Sequence, residues 1–195
     1  MKLLVSIVEA CQDLRGGALI SSIYSFLSHG DPSSSETVHS ILCTVCQPMY
    51  VMLLRWICDG TLEDPYNEFF IASDPRIQGE QMWHDKYSIR DSMIPKFLSF
   101  SWVKKILATG KSINFLREVC HDTSDISGRD VVKANLDSMT VEHFFANPHG
   151  ADSFLHETLQ RAFTDTSAHV LNILFNRSVC LSVFLRIYNK KRVQN

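Results

Sequence analysis

The sequence has little imbalance of charge. Its 19 lysine and arginine residues nearly match its 21 aspartate and glutamate residues, so the formal net charge is −2. A nucleic-acid binder driven by bulk charge needs a clear cationic excess, and we therefore expect no nucleic-acid partner. The apolar fraction of 45% and the charged fraction of 21% also argue against a disordered chain. In 195 residues they predict one globular domain with a sizeable core.

Long uninterrupted apolar runs are scarce as well. No run approaches the roughly 20 residues that span a bilayer, and the run 179–187 is short and contains Arg186. The segment 1–8 resembles the start of a secretory signal, but Glu9 interrupts it and no small-residue cleavage site follows. We therefore expect no membrane partner, and we expect the six cysteines to be reduced thiols in the cytoplasm.

Complete catalytic or metal-binding motifs are missing. Cys43 and Cys46 form one CxxC pair, but a zinc site needs further ligands. The pair lies inside a helical pattern, which favours buried packing thiols, while a zinc or redox module built on it stays an alternative. Cys120, His121 and Asp122 have the chemistry of a triad, yet triads combine residues that are distant in sequence. We predict no enzyme, no metal and no cofactor.

Two other patterns are also incomplete. Gly110-Lys-Ser112 ends like a phosphate-binding loop, but Lys105 stands where that loop has a glycine. We interpret Gly110 as a break in a helix. The carboxylates of Glu63, Asp64 and Glu68 could hold a cation, but they lack the EF-hand spacing. A charged turn is the favoured interpretation.

What the sequence does contain is helical periodicity. Apolar residues recur three and four apart in the segments 3–14, 18–28, 33–58, 99–120 and 151–175. The joints between the first helices are short, which predicts antiparallel neighbours. The predicted fold is mainly α, an elongated helical bundle with one small β-hairpin. In the first helix the predicted apolar face consists of Leu4, Ile7, Val8 and Cys11.

Individual residues predict where these helices begin and end. Ser33 and Glu36 form a capping box at the start of the third helix. Pro48 predicts that this helix is kinked or split, and Gly110 predicts an interruption of the fourth. The polar segment 121–137 predicts a loop, and 140–146 predicts a helical turn.

The hairpin is predicted from two short runs. The segments 68–73 and 82–89 have the aromatic and β-branched composition of strands, and a loop with proline and glycine joins them. Period-two spacing predicts that Trp83, Asp85 and Tyr87 share one face. Aromatic residues of this kind are more often core than interface, although they also concentrate at interface hot spots.

Four motifs carry a resemblance to a known family. They are the run 54–73, the string Trp83-His-Asp-Lys-Tyr-Ser-Ile-Arg90, the turn Ser92-Met-Ile-Pro95 and the string Gly110-Lys-Ser-Ile-Asn-Phe-Leu116. Together they resemble the gamma-tubulin complex component family, also called the spindle pole body component family. The likeness extends from about Leu4 to about Arg177 and fades between 123 and 151.

The resemblance implies a helical-bundle protein with two grip domains. In the family, the first grip domain packs side by side with sister components, and the second binds gamma-tubulin. Together they form a template that nucleates microtubules at centrosomes and spindle poles. The chain resembles the later part of the first domain, so we assign 1–177 to a partial N-terminal grip domain and 178–195 to a divergent apolar and basic tail. The gamma-tubulin-binding domain is expected to be missing.

The resemblance also implies partners and a location. The expected partners are other gamma-tubulin complex components, and gamma-tubulin itself either directly or through the complex. The expected location is the cytoplasm and cytoskeleton, at a microtubule-organising centre, centrosome or spindle pole. A helical adaptor without a tubulin connection stays open as an alternative.

We expect the partner interface to lie around the predicted hairpin. Large aromatic residues and charges of both signs are concentrated there, and a hairpin edge is a usable docking surface. The candidate residues are Leu62, Glu63, Asp64, Tyr66, Phe69, Phe70, Trp83, Asp85, Tyr87 and Arg90.

Overall fold

The computed structural model describes residues 2–28, 32–77, 82–122, 124–126, 128–138 and 154–176. Within these ranges the fold is mainly helical with one two-stranded antiparallel sheet, which confirms the predicted fold class. The helices are α1 Lys2–Ala10, α2 Gly16–Ser25, α3 Pro32–Asp59, α4 Phe100–Glu118, α5 Arg129–Ser138 and α6 Phe154–Asn176. The strands are β1 Ile71–Ser73 and β2 Tyr87–Ile89.

Helix α3 lies at the centre of the core. Its side chains Val38, Leu42, Leu53 and Trp56 are fully buried, and α2, α4 and α5 all pack against it. Helix α6 packs along α4 and α5. A second, smaller cluster lies between the C-terminal half of α4 and the end of α6, where Phe115 is buried.

The inward face of α1 differs from the predicted one. Ile7 is buried and Cys11 packs at the edge of the core, but Leu4 and Val8 are 44% and 66% exposed. The inward residues therefore follow Leu3, Ile7 and Cys11, with spacings of four. The prediction was wrong for Leu4 and Val8 and is confirmed for Ile7 and Cys11.

Helix α3 continues through Pro48 without a break. The predicted split was wrong because Cys46 and Met49, on either side of the proline, are buried in the same core, and this packing holds the helix despite the lost backbone hydrogen bond. The side chain of Ser33 in the predicted capping box lies outside the described residues.

The segment Ser34–Asp59 is also long and apolar enough to cross a membrane by length and composition alone, contrary to the expectation from the sequence. A buried core helix meets the same criterion, and this segment contributes the central stripe of the core.

Helix α4 is likewise continuous across Gly110, which was predicted to interrupt it. An ideal Cβ at this position would lie 2.0 Å from Cε2 of Trp56. The glycine therefore admits the indole of α3 to the surface of α4. Trp56 Nε1 donates a hydrogen bond to the carbonyl oxygen of Ile106 at 2.8 Å, which fixes the ring in this position.

Two further predictions, for the second strand and for the segment 121–137, differ from the structure. Each strand has only three residues, and residues Met82–Lys86 form a π-helical turn instead of the start of a strand. The segment 121–137, predicted as a loop, contains most of α5. Val132 and Leu136 of α5 are buried against the core, which explains why this polar segment is helical. The segments 140–146 and 178–195 lie outside the described residues.

The C-terminus of α3 is tied to α4 by polar contacts. Gly60 has a left-handed conformation, with φ +63°, as a helix-ending glycine requires. Its carbonyl oxygen accepts a hydrogen bond from Nδ2 of Asn114 at 2.8 Å. Arg117 donates to the carbonyl oxygen of Asp59. These contacts place the turn that follows α3 against the C-terminal part of α4.

Candidate interaction surface

The ten residues predicted to form a partner interface fall into three groups by burial. Glu63, Tyr66 and Asp85 are exposed, and Leu62, Asp64, Trp83 and Arg90 are half-buried. Phe69, Phe70 and Tyr87 are buried in the core.

The three buried aromatic residues support the fold from within. The rings of Phe69 and Phe70 lie 4.3 Å apart by their centroids, and both are fully buried. Tyr87 meets Trp56 edge to face at a centroid distance of 4.9 Å. Burial, together with the nearby charge of Glu118, raises the pKa of Tyr87 to about 12. In this conformation these rings are not available to a partner.

Trp83, Asp85 and Tyr87 do not share a strand face. The first two belong to the π-helical turn, where side chains do not alternate as they do in a strand. Trp83 packs edge to face on Phe115 of α4 at 5.5 Å, while Asp85 is exposed. The period-two prediction was wrong because the strand begins only at Tyr87.

Asp64 and Arg90 form an ion pair that organises the turn after α3. Arg90 donates to Oδ2 of Asp64 at 2.7 Å, to the carbonyl oxygen of Phe69 at 3.0 Å and to Oδ1 of Asn67 at 2.7 Å. Asp64 in turn accepts from the backbone N–H groups of Glu68 and Phe69 at 2.8 and 3.1 Å. The Asp64 side chain is only 5% exposed. The pair therefore holds together two segments that are 26 residues apart in sequence.

Tyr66 lies at the tip of this turn. Pro65 precedes it with a restricted φ, and Asn67 follows it in the left-handed region with φ +57°. The N–H of Asn67 donates to the carbonyl oxygen of Asp64 at 3.4 Å, which closes a turn of the Asp-Pro type. Tyr66 is 71% exposed. The result is an aromatic side chain presented by a fixed backbone.

Sequence reasoning missed how this turn is supported. Asn67 and Gly17 were not among the candidates, although the N–H of Gly17 donates to the carbonyl oxygen of Glu68 at 3.3 Å. The dipeptide Asp64-Pro65 was the signal that could have predicted the turn. The position of α2 beside it depends on tertiary packing, since an ideal Cβ at Gly17 would lie 1.6 Å from the carbonyl oxygen of Met93.

Two carboxylates of this turn form ion pairs within the protein. Glu63 pairs with Arg55, and Asp64 pairs with Arg90. Among the described residues, no group of three or more histidine, cysteine, aspartate or glutamate residues could hold a metal ion. The arrangement therefore suits a protein contact better than a cation site.

The CxxC pair has the properties of packing thiols. Cys46 is fully buried, and burial raises the pKa of its thiol to about 12, with a further contribution from Cys43. A thiolate, the form that binds metals and reacts, is therefore disfavoured. Cys43 lies 3.8 Å from Nδ1 of His39 on the same helix. Nothing in this geometry supports the zinc or redox alternative.

Asp122 does meet a histidine and a serine, but not in a catalytic order. Oδ2 of Asp122 lies 2.9 Å from Nε2 of His169, and the Ser124 hydroxyl lies 3.3 Å from the same nitrogen. A triad needs the serine and the carboxylate on opposite ring nitrogens. Burial favours a higher pKa for Asp122, but hydrogen bonds from His169 and Ser124 outweigh it and lower the pKa. The cluster joins the segment after α4 to α6.

The Gly110-Lys111-Ser112 string forms no phosphate loop. All three residues lie inside α4, where backbone N–H groups already bond to helical carbonyls. Lys111 donates to the carbonyl oxygen of His84 at 3.4 Å. The string connects α4 to the π-helical turn and has no free loop to surround an anion.

Comparison with known proteins shows which family this chain resembles. Residues 1–177 match the family model described as Gamma tubulin complex component N-terminal. The chain is 40% identical over 175 residues to the gamma-tubulin complex component 3 homolog of Xenopus laevis, covering 89% of this chain and 19% of that relative. It is 31% identical over 163 residues to the spindle pole body component alp6 of Schizosaccharomyces pombe, covering 80% and 18%.

The chain is also similar to a relative that is named as component 2 of the gamma-tubulin complex. The chain is 29% identical over 136 residues to gamma-tubulin complex component 2 of Mus musculus, covering 65% of this chain and 15% of that relative. The chain spans about a fifth of the length of the first of these curated relatives. Similar domains therefore occur in differently numbered components of the gamma-tubulin complex.

Proposed function

Because the chain belongs to the gamma-tubulin complex component family through its N-terminal domain, we propose that it is a structural element of the gamma-tubulin complex. It packs side by side with other complex components and thereby contributes to microtubule nucleation. The observation that carries this proposal is the match of residues 1–177 to the family's N-terminal domain. We assign these residues to a partial first grip domain.

The geometry of the domain supports a structural role without catalysis. Among the described residues, the clusters of titratable groups are ion pairs and hydrogen bonds that join elements, as at Asp64 and Asp122. Tyr87 and Gly110, from two of the motifs that carry the family resemblance, both contact Trp56, from a third, in the core. These motif residues therefore support the fold, and partner contacts fall to the exposed residues around them.

We place the lateral contact on the exposed side chains between Leu62 and Arg90. Glu63, Tyr66 and Asp85 remain from the predicted set once the buried rings are removed. Gamma-tubulin is reached through the assembled complex. The names of the relatives place them in gamma-tubulin complexes and spindle pole bodies. We propose that this chain is located at the same structures and at the centrosome.

The test is direct binding of the full 195-residue chain to purified relatives. Tagged chain is mixed with mouse gamma-tubulin complex component 2, with the Xenopus component 3 homolog, or with gamma-tubulin alone, and complexes are separated by size-exclusion chromatography. We expect co-elution with at least one component and none with gamma-tubulin alone. A chain that is folded by circular dichroism and binds neither component would overturn the proposal.

A pair of surface variants locates the contact. Glu63→Ala with Asp85→Ala removes two exposed side chains of the proposed surface and should weaken binding several-fold. Lys96→Ala with Lys104→Ala removes two exposed side chains elsewhere and should leave binding unchanged. Trp83→Ala with Tyr87→Ala is unsuitable, because Tyr87 and Trp83 pack on Trp56 and Phe115 inside the domain.

A further inference from the structure

We propose that the outward face of α1 pairs with α1 of a second copy of this chain, antiparallel and about a two-fold axis. This face consists of Leu4, Val5 and Val8, and Lys2 and Glu9 lie beside it. In the pair, Lys2 of each copy meets Glu9 of the other. The contact is separate from the lateral contact proposed above and does not depend on it.

Helix α1 leaves an aliphatic face open along most of its length. Ile7 is its one buried residue, whereas Leu4, Val5 and Val8 are 44%, 56% and 66% exposed. With 3.6 residues per turn, these three residues lie on one side of the helix, about a third of a turn from Ile7. The helix therefore has a second apolar stripe beside the one that packs on the core, and a neighbouring helix can cover such a stripe.

The charges beside this face fit a second copy of the same helix. Lys2 and Glu9 are both exposed, and neither forms an ion pair with another described residue. They lie about two turns apart on the same flank, and the three aliphatic residues lie between them in sequence. In an antiparallel pair, the lysine at one end of each helix therefore lies opposite the glutamate at the far end of the other.

The same two charges disfavour other arrangements. A parallel pair would bring the two copies of Lys2 together and the two copies of Glu9 together, and like charges repel. A partner helix with charges of one sign would leave one of the two residues opposite a like charge. A second copy in the antiparallel orientation is complementary at both ends, as the self-complementary patch of a two-fold interface must be.

The test is sedimentation equilibrium of the full chain at concentrations from about 5 µM to about 1 mM. Three aliphatic side chains per copy make a small contact, so we expect a reversible dimer with a dissociation constant on the order of 100 µM. Val5→Ser combined with Val8→Ser should weaken this dimer about tenfold, because it removes most of the apolar contact. Leu171→Ser, which replaces a 53% exposed residue on α6, should leave it unchanged.

Charge exchange tests the antiparallel orientation. Lys2→Glu and Glu9→Lys should each weaken self-association about fivefold, because each variant places like charges opposite each other at both ends of the pair. The chain that carries both changes should associate as well as wild type, and so should an equimolar mixture of the two single variants. Both changes suit the helix dipole, so α1 itself is retained. Equal self-association of wild type and both single variants would overturn the antiparallel pairing.

Other results would assign the face to a different occupant or to none. A chain that stays monomeric up to about 1 mM would overturn this inference and leave the proposed function standing. Slow amide hydrogen exchange of α1 in such a monomer would show that another part of the same chain covers the face. Loss of binding to mouse component 2 when Val5 and Val8 are replaced in a monomeric chain would assign it to a sister component. Association that continues beyond the dimer would also overturn the inference, because a two-fold contact closes.

Discussion

The centre of the domain and its N-terminal helix differ in how their apolar residues are used. At the centre, Trp56 of α3 enters the space left by Gly110 of α4 and is held by a hydrogen bond to Ile106. Helix α1 has only one buried residue, Ile7, and Val5 and Val8 are 56% and 66% exposed. Apolar side chains thus form a closely fitted contact at the centre of the domain, whereas on α1 most of them lie on an exposed surface.

This difference shows what makes a contact specific. A position that requires only burial tolerates substitution, because apolar residues of similar size can replace one another there. At the centre, position 110 has no room for a Cβ atom. Trp56 and Asn114 must also donate side-chain hydrogen bonds to backbone carbonyl oxygens. The family motifs 54–73, 83–90 and 110–116 include these requirements, whereas α1 contains none of the motifs.

The largest effect is expected from Trp56→Ala at the centre. It should lower the free energy of unfolding by about 4 kcal/mol, because it leaves a large cavity and removes the donor to the Ile106 carbonyl. Ile7→Ala in α1 should cost about 2 kcal/mol. Urea unfolding followed by circular dichroism measures both. Equal losses for the two variants would remove the distinction between the regions.

The next effect is expected from Gly110→Ala. Alanine favours a helix over glycine by about 1 kcal/mol, but its Cβ would lie 2.0 Å from Cε2 of Trp56. We expect a net loss of about 2 kcal/mol from this overpacking. Combining it with Trp56→Phe, which carries a smaller ring, should recover part of that loss. A stabilised Gly110→Ala variant would show that the close approach does not constrain α4.

A smaller, pH-dependent effect is expected at Asp122. Its pKa is lowered in the folded protein, so its carboxylate stabilises the fold above its unfolded pKa of about 3.9. That contribution is lost as the pH falls through the lowered folded pKa. Asp122→Asn should cost about 1 kcal/mol at pH 6, and the difference from wild type should shrink below about pH 4.

Urea unfolding between pH 2 and pH 6 measures this difference at Asp122. Asp125→Asn, at an exposed position outside the helices, serves as the control and should show little difference from wild type at any of these values. A constant cost for Asp122→Asn over the whole range would exclude a stabilising role of the carboxylate charge.

The smallest effect is expected from Val8→Ser on α1. Because Val8 is 66% exposed, its replacement should change the free energy of unfolding by less than about 0.5 kcal/mol. Thermal unfolding of the two proteins under identical conditions measures this. A loss comparable to that of Ile7→Ala would mean that the outward face of α1 is packed after all.

Particular residues show how far the sequence could predict the fold. The periodicity of Val38, Leu42 and Leu53 predicted α3 and its buried stripe, and all three are fully buried. Pro48 and Gly110 were misinterpreted because proline and glycine are rated by their local effect on a helix. Their actual roles depend on what packs against them, which a single segment does not contain.

The sequence predicted where the candidate interface lies but not which of its side chains are exposed. Its location after α3 follows from the sequence motifs, and it stays a prediction until binding is measured. Which of its side chains are exposed could not be predicted, since Tyr66, Phe69 and Phe70 are all aromatic and lie within five positions. Their separation into one exposed and two buried rings depends on the turn that Arg90 holds from a distant segment.

The sequence by itself determined the helical class, most helix positions and the family, because these depend on local periodicity and on strings of neighbouring residues. Only the tertiary structure decided that Gly110 receives an indole, that Met82–Lys86 is a π-helical turn and that Tyr66 remains exposed. Each of these depends on contacts between residues that are distant in the chain. Steric fit and hydrogen-bond geometry across such distances arise only when the helices have packed.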